Sequence, residues 1–435
     1  MLYLSSVLLA VASTALGAPT TGTFNILTLN VAGLPAILND NDVPGDKTVN
    51  TGLIGQYFSI YNYSLIHVQE DFNYHAALYA ADDHPYRTAT SGGVPLGSGL
   101  NTLSNFDWVD MERTKWDTCS ASGGDCLTPK GFTFMRVKVS EGVWVDAYNI
   151  HTDAGTEASD LTARASNLQQ VSTHIKAYSQ SNPVLVFGDS NSRYTRTGDI
   201  PKVFTTDNGM TDAWISLALG GNYPTAEVLC KNPSDTTACE IVDKVWYRGS
   251  PAVTLTATQF QYVGNQFLQP NGSVLSDHDP VLVDFTWTLG AKLRLSDPFG
   301  GAFGTFYNDL DTLSTIATPV VSTITLSGGN RLDSVSVTLA SGQTLTHGGT
   351  GGNAVSLTLA TGETLTSATI CQGTYNDQAR LFSISVTTSK ARTLSTGVTT
   401  SDCVTRTAES GWAIVGFVGR SGDGIDRLGF VYAKI

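Results

Sequence analysis

The sequence predicts a layered α/β domain followed by an all-β domain, and three observations carry that prediction. Short apolar runs and one long helical pattern alternate through the first part of the chain. Composition then changes near residue 290, with six of the seven Trp, all four Met and six of the seven His upstream. Downstream, Ser, Thr and Gly dominate, and runs such as Ser334-Val335-Ser336-Val337-Thr338-Leu339 alternate as strands do between glycine turns. With 435 residues, 41% apolar and 14% charged, the chain can bury a large core and lacks the dense charge of disorder. Its net charge of -13 disfavours a general phosphate-backbone binder. That excess sits wholly upstream, where 28 acidic face 15 basic side chains, while residues 291–435 hold ten of each.

Taken in order, residues 1–17 carry no charged side chain and end in Ala15-Leu16-Gly17, a small-x-small cleavage pattern. They read as a secretory signal peptide rather than an anchor, being too short and too serine-rich to span a bilayer comfortably. No later stretch approaches a transmembrane helix, so the expected destination is extracellular. Sequons at Asn62-Tyr63-Ser64 and Asn271-Gly272-Ser273 could carry glycans there. Residues 18–290 form the expected α/β domain. Phe24–Val31, Ser64–Val68, Val143–Ile150, Pro183–Phe187 and Val281–Phe285 read as strands, several apolar throughout as strands covered on both faces should be. Leu161, Ala165, Leu168, Val171 and Ile175 recur at helical spacing and predict a helix over 157–178. Residues 291–435 form the expected all-β domain. Six cysteines suit an oxidising compartment. Proximity suggests Cys119–Cys126, Cys230–Cys239 and Cys371–Cys403, the first two worth about 2.5 kcal/mol each and the last about 3.7 kcal/mol by chain entropy.

Most of the predicted strands run into a polar cluster. The clusters are Asn30; Gln69-Glu70-Asp71; His151-Thr152-Asp153; Gly188-Asp189-Ser190-Asn191; and, just before the last strand, Ser276-Asp277-His278-Asp279. A lone Asp after a strand is usually a turn former. Five clusters of Asn, Glu, Asp and His in one domain point instead to a site on one rim of the sheet. These residue types suit displacement at phosphorus with a hard cation. Carboxylates hold the cation, one His takes a proton from water, and another His donates to the leaving oxygen.

In that order, Asn30, Gln69-Glu70, His151, Gly188-Asp189-x-Asn191 and Ser276-Asp277-His278 resemble the endonuclease/exonuclease/phosphatase superfamily over about residues 22–288. The resemblance implies a four-layer α/β sandwich and a metal-dependent phosphodiesterase using Mg²⁺, with Mn²⁺ or Ca²⁺ as substitutes. It implies that Glu70 binds the cation beside Asn30 and that Asp277 supports the metal side. Asp189 and Asn191 would position nucleophile and phosphate, His278 would be the general base oriented by Asp243, and His151 would stabilise or protonate the leaving oxygen. Ser190 stands where the family usually has Phe, at what is expected to be a tolerant packing position; Asp153 is an added carboxylate without an assigned role.

Thr28–Pro35 and Asp125-Cys126-Leu127-Thr128-Pro129-Lys130-Gly131 resemble the neutral sphingomyelinase branch. The branch implies phospholipase C-type release of a phosphorylated head group, with nuclease action as the alternative. Trp108 and Trp116 are spaced to touch a lipid interface. Beyond residue 296, Asp297–Phe306, His347–Gly352 and Ile414–Gly422 resemble jacalin-related lectins, whose fold is a β-prism of three Greek-key sheets. That resemblance implies a sugar site built from Gly300 or Gly301 and the loop Gly422, Asp423, Gly424, Ile425 and Asp426. Glycines there let backbone amides approach a sugar, and the Asp426 carboxylate can accept hydroxyls. The third reading is a carbohydrate-binding protein with an inert hydrolase half.

Overall fold

The computed structural model describes residues 19–435; the predicted signal peptide at 1–17 lies outside the described residues. The first part holds strands β1 (Thr21–Asn30), β2 (Leu65–Gln69), β3 (Tyr86–Arg87), β4 (Asn101–Ser104), β5 (Trp108–Lys115), β6 (Gly131–Ser140), β7 (Val143–His151), β8 (Val184–Asp189), β9 (Thr211–Asp212), β10 (Asp243–Arg248), β11 (Val253–Tyr262) and β12 (Val281–Leu289). Its helices are α1 (Lys47–Tyr61), α2 (His75–Ala81), α3 (Ala158–Tyr178) and α4 (Val203–Asn208). The strands form two six-stranded sheets, ordered β11-β12-β1-β2-β4-β3 and β5-β6-β7-β8-β10-β9.

Burial explains why the sheets face each other. Ile26, Leu65, Val283 and Phe285 from one sheet meet Met135, Val145, Leu185 and Phe187 from the other in a common core. The outer face of the first sheet takes α1 and α2 through Ile54, Phe58 and Leu78 against Leu27, Ile66 and Val68. The outer face of the second takes α3 through Leu168, Val171 and Ile175 against Phe132, Tyr148 and Val184. The result is a four-layer α/β/β/α sandwich, with strands apolar on both faces as read from sequence. Helix α3 starts at a capping box between Glu157 and Asp160. Its buried stripe is less apolar than its periodicity suggests: Leu161 and Ala165 sit at the edge while Arg164 and Asn167 are buried. Arg164 is held inside because it pairs with Asp199 at 2.7 Å and donates to the carbonyls of Asp153, Ala154 and Gly155.

The second part is all-β. Its strands are β13 (Leu293–Leu295), β14 (Phe299–Gly300), β15 (Thr305–Asn308), β16 (Val321–Gly328), β17 (Leu332–Leu339), β18 (Thr344–Gly348), β19 (Asn353–Thr358), β20 (Leu365–Tyr375), β21 (Gln378–Thr388), β22 (Thr393–Gly397), β23 (Asp402–Thr407), β24 (Trp412–Ser421) and β25 (Ile425–Lys434). Pairing falls into three groups: β18-β17-β16-β19, then β23-β20-β21-β22, then β24 and β25 with β13, β14 and β15. The first two groups are Greek keys, because the odd strand returns beside the first of three hairpin-linked neighbours. Between the second and third groups the strand ladder consists of the single pair Leu365↔Ile414.

The two parts share one core cluster, which runs from Phe24 to Ala433. Polar contacts fix the joint. Asp297 accepts from Gly142 N at 2.9 Å and Trp144 Nε1 at 3.0 Å and pairs with Lys138. Asp110, almost fully buried on β5, receives Arg427 at 2.8 Å, Arg420 at 3.3 Å and Arg136 at 3.7 Å. Arg136 also lies 4.0 Å above the Phe306 ring. All three proximal cysteine pairs are disulfides: Cys119–Cys126, Cys230–Cys239 and Cys371–Cys403. Among the described residues, no helix is long and apolar enough to cross a membrane.

Candidate active site at the strand ends

Register builds the site. In the parallel pair β7–β8, His151 lies opposite Asp189, and in the antiparallel pair β8–β10, Asp189 lies opposite Asp243. In the parallel pair β1–β2, Asn30 lies opposite Gln69, which places Glu70 one residue further out. The two sheets therefore deliver their polar ends to a shared rim. Ser276 locks the last loop to it, its Oγ donating to the Asn30 carbonyl at 2.6 Å and accepting from His278 N at 3.2 Å.

Asn30 Nδ2 is the central donor, 3.1 Å from Glu70 Oε1 and 3.2 Å from Asp189 Oδ2. His278 Nδ1 lies 2.8 Å from Asp243 Oδ2, and its Nε2 lies 3.8 Å from Asp189 Oδ2. His151 Nε2 approaches the same Asp189 oxygen at 3.5 Å. Asn191 donates from its backbone to Asp189 Oδ1 at 3.0 Å and from Nδ2 to the Thr152 carbonyl at 3.2 Å. Asp277 is exposed and accepts from Asn41 Nδ2 at 3.0 Å.

The electrostatics separate the two histidines. Burial works against charging His278, but Asp243 and Asp189 outweigh it and hold its pKa well above the ordinary imidazole value. Burial, aided by the positive charges of Lys130 and His278, drives His151 well below that value, so it stays neutral. Burial also pushes the carboxyls of Glu70 and Asp189 upward. Glu70 Oε2 is buried with no protein partner. An oxygen left in that state calls for a cation or a proton, and the oxygen-rich set of Glu70, Asn30 and Asp189 fits a hard cation such as Mg²⁺. Asp189, Asp243 and His278 also lie within metal-ligand range of one another, but Asp243 and His278 already satisfy each other.

Several expectations need correction. Trp116 is buried, donating from Nε1 to the His151 carbonyl at 2.8 Å, and Trp108 packs on Tyr86 and the inter-sheet core. Trp116 is therefore not free for a lipid interface, while Trp108 is half-buried. The exposed apolar side chains near the rim are instead Ile37, Leu38, Leu96 and Leu127. Asp153, the added carboxylate, has a structural part: its Oδ2 accepts from Ser120 N at 2.7 Å and so pins the Cys119–Cys126 loop. Ser190 is not an apolar packing position: its Oγ donates to the Val242 carbonyl at 2.6 Å and its own carbonyl accepts from Thr152.

Two lysines went unassigned in the sequence. Lys130, paired with Asp125, places positive charge beside Glu70, His151 and Asp189. It lies in the Asp125–Lys130 segment and could have been found there. Lys47 Nζ is buried and binds the carbonyls of Ala32, Leu34 and Asn39 together with Asn41 Oδ1, which fixes the loop carrying Ile37 and Leu38.

In the second part, Gly301 N donates to the Asp426 carbonyl at 2.7 Å and Gly422 N to the Gly424 carbonyl at 3.0 Å. Gly300 must lack a side chain, since a Cβ would sit 2.3 Å from the same Asp426 carbonyl. Asp423 is exposed, whereas Ile425 points into the core. The carboxylate of Asp426 is paired with Arg380.

Residues 46–221 match the sequence model of Endonuclease/Exonuclease/phosphatase family 2, and residues 296–431 match the Jacalin-like lectin domain. Sphingomyelinases of Mycobacterium bovis and Mycobacterium tuberculosis are each 36% identical over 271 residues, covering 61% of this chain and 53% of the relative. The chain thus spans about half the length of the curated relatives it matches. Among solved structures, sphingomyelinase C from Streptomyces griseocarneus is 18% identical, with 60% of this chain and 99% of that chain covered at a TM-score of 0.43. Malaysian banana lectin is 22% identical, with 32% and 98% covered at a TM-score of 0.28. The chain joins a catalytic domain of the endonuclease/exonuclease/phosphatase family, with sphingomyelinase homologues, to a jacalin-like lectin domain.

Proposed function

We propose that the protein is a secreted Mg²⁺-dependent phosphodiesterase that releases a phosphorylated head group from a sphingolipid, and that its lectin domain, from about residue 291, tethers it to glycans. The observation that carries the reading is the convergence of Asn30, Glu70, Asp189 and the His278–Asp243 pair on one rim. Glu70 would hold the cation, with Asn30 fixing its orientation and Asp277 adding negative charge nearby. The cation, when bound, neutralises charge on the phosphate oxygens.

The remaining work falls to the chain. His278 Nε2 takes a proton from water while Asp243 accepts from Nδ1–H and stabilises the imidazolium that forms. Asp189 orients that water, and Asn191 holds a phosphate oxygen by hydrogen bonding. His151, kept neutral by burial, serves better as a donor that stabilises the leaving oxygen than as a stored proton. Exposed Ile37, Leu38, Leu96 and Leu127 around the rim favour a lipid substrate over nucleic acid. The test is purified protein with Mg²⁺ on sphingomyelin vesicles and on plasmid DNA. Choline-phosphate release, abolished by chelator and by Glu70→Ala or His278→Ala, is expected. DNA cleavage without head-group release would make the protein a tethered nuclease, and turnover of neither would leave an inert hydrolase beside a lectin.

A further inference from the structure

Asp426 closes the loop that resembles a sugar site, but its carboxylate is already engaged. Oδ1 pairs with Arg380 Nη1, and Oδ2 is buried without a partner. Arg380 comes from β21, a different sheet group, 46 residues away in sequence. Its Nη2 donates to Gln378 Oε1 at 2.6 Å, its Nε is buried without a partner, and its guanidinium lies 4.9 Å from the Phe303 ring. Gly304 packs closely against this carboxylate, since a Cβ there would lie 2.5 Å from Asp426 Oδ2. The site therefore holds one guanidinium nitrogen and one carboxylate oxygen without protein partners, beside the exposed ring of Phe303.

We propose that Arg380 makes this pocket selective for acidic sugars, glycans carrying a carboxylate or sulfate beside their hydroxyls. The inference rests on the reading of this domain as sugar-binding. A neutral sugar must take Asp426 out of a charge-assisted bond and leave a partly buried guanidinium without an anion. An acidic sugar exchanges partners instead. Its anionic group takes the planar fork of Arg380, and its hydroxyls donate to Asp426, so neither charge is left unpaired. The background field does not do the selecting. The domain holds ten basic and ten acidic side chains, and nearby Arg420 is paired with Asp110. Discrimination must come from the fork at hydrogen-bond range, so lysine should not replace it.

The experiment uses the full chain on immobilised mannosyl and galactosyl glycans beside their sulfated, uronic and sialylated counterparts. Wild type is expected to bind the acidic set about tenfold tighter than the neutral set. Arg380→Gln frees Asp426, so it should lose that preference and gain affinity for neutral sugars; Arg380→Lys, which keeps the charge but not the fork, should lose the preference without that gain. Circular dichroism and the thermal unfolding midpoint, which need neither glycan nor turnover, report that each variant is folded. Equal wild-type binding to both sets, or an unchanged ratio in Arg380→Gln, overturns the proposal. If Arg380→Gln binds neutral sugars while wild type ignores acidic ones, the acidic selectivity falls and the lectin reading stands. If no variant binds any glycan, both fall.

Discussion

Asp243 acts on His278 through one hydrogen bond of 2.8 Å and through charge. Both raise the histidine's pKa, so the linkage has a definite sign. The stability contributed by this pair is complete below about pH 6.5, the unfolded value, and is lost as pH rises through the higher folded value. Activity runs the other way if His278 is the base, because only the neutral ring takes a proton. In Asp243→Asn the acidic limb of the pH–rate profile should therefore move to lower pH, while maximal turnover falls by about 10²-fold or more. A limb that stays in place would remove Asp243 from this role. Glu70 permits a test without turnover. Its unpartnered Oε2 makes the ionised side chain a cost in the metal-free protein. Glu70→Gln should melt at the same temperature as wild type or higher without Mg²⁺. Mg²⁺ at a hundred times its Kd should add about 2.7 kcal/mol to wild type and nothing to the variant.

At the scale of elements, the site depends on how closely β7 and β8 lie. Gly188 allows it: a Cβ there would be 2.2 Å from the Ile150 carbonyl. Gly188→Ala should push apart the strand ends carrying His151 and Asp189, lowering kcat far more than KM; an unchanged kcat would show that the His151–Asp189 spacing is not critical. The Cys119–Cys126 loop is a second such element, since it carries Asp125 for Lys130 and is pinned by Asp153. Replacing both cysteines with serine should cost about 2.5 kcal/mol in denaturant unfolding and weaken turnover through Lys130. These dependences also explain what could be read from sequence. Asn30, His151 and Asp189 were legible because each ends an apolar run, and strand ends share a rim. Ser276-Asp277-His278 was legible as a motif. Lys47 and Arg380 were not, because their partners come from turns and other strands that no local pattern brings together. Trp116 was misread for the same reason: spacing shows where a ring lies in the chain, but not that its Nε1 reaches the His151 carbonyl.

Across the molecule, Asp110 is the residue on which the two domains depend. It adopts φ +61 at a bulge in β5 and faces three arginines. Two of these also brace the 300–304 segment: Arg420 donates to the Gly304 carbonyl at 3.1 Å and Arg427 to the Gly300 carbonyl at 3.4 Å. Asp110→Ala leaves buried guanidinium charge uncompensated and should cost about 3–5 kcal/mol. Calorimetry should then split what is otherwise one transition into two; a single transition in both proteins would mean that Asp110 does not hold the joint. Because one core runs through both halves, anything that binds only the folded lectin also protects the hydrolase from unfolding. A glycan held at the 422–426 loop would then set how long the enzyme survives as well as where it sits. Copies bound to a sugar-bearing surface would persist while unbound copies denature and are digested, confining activity to that surface without any change in the chemistry of the rim.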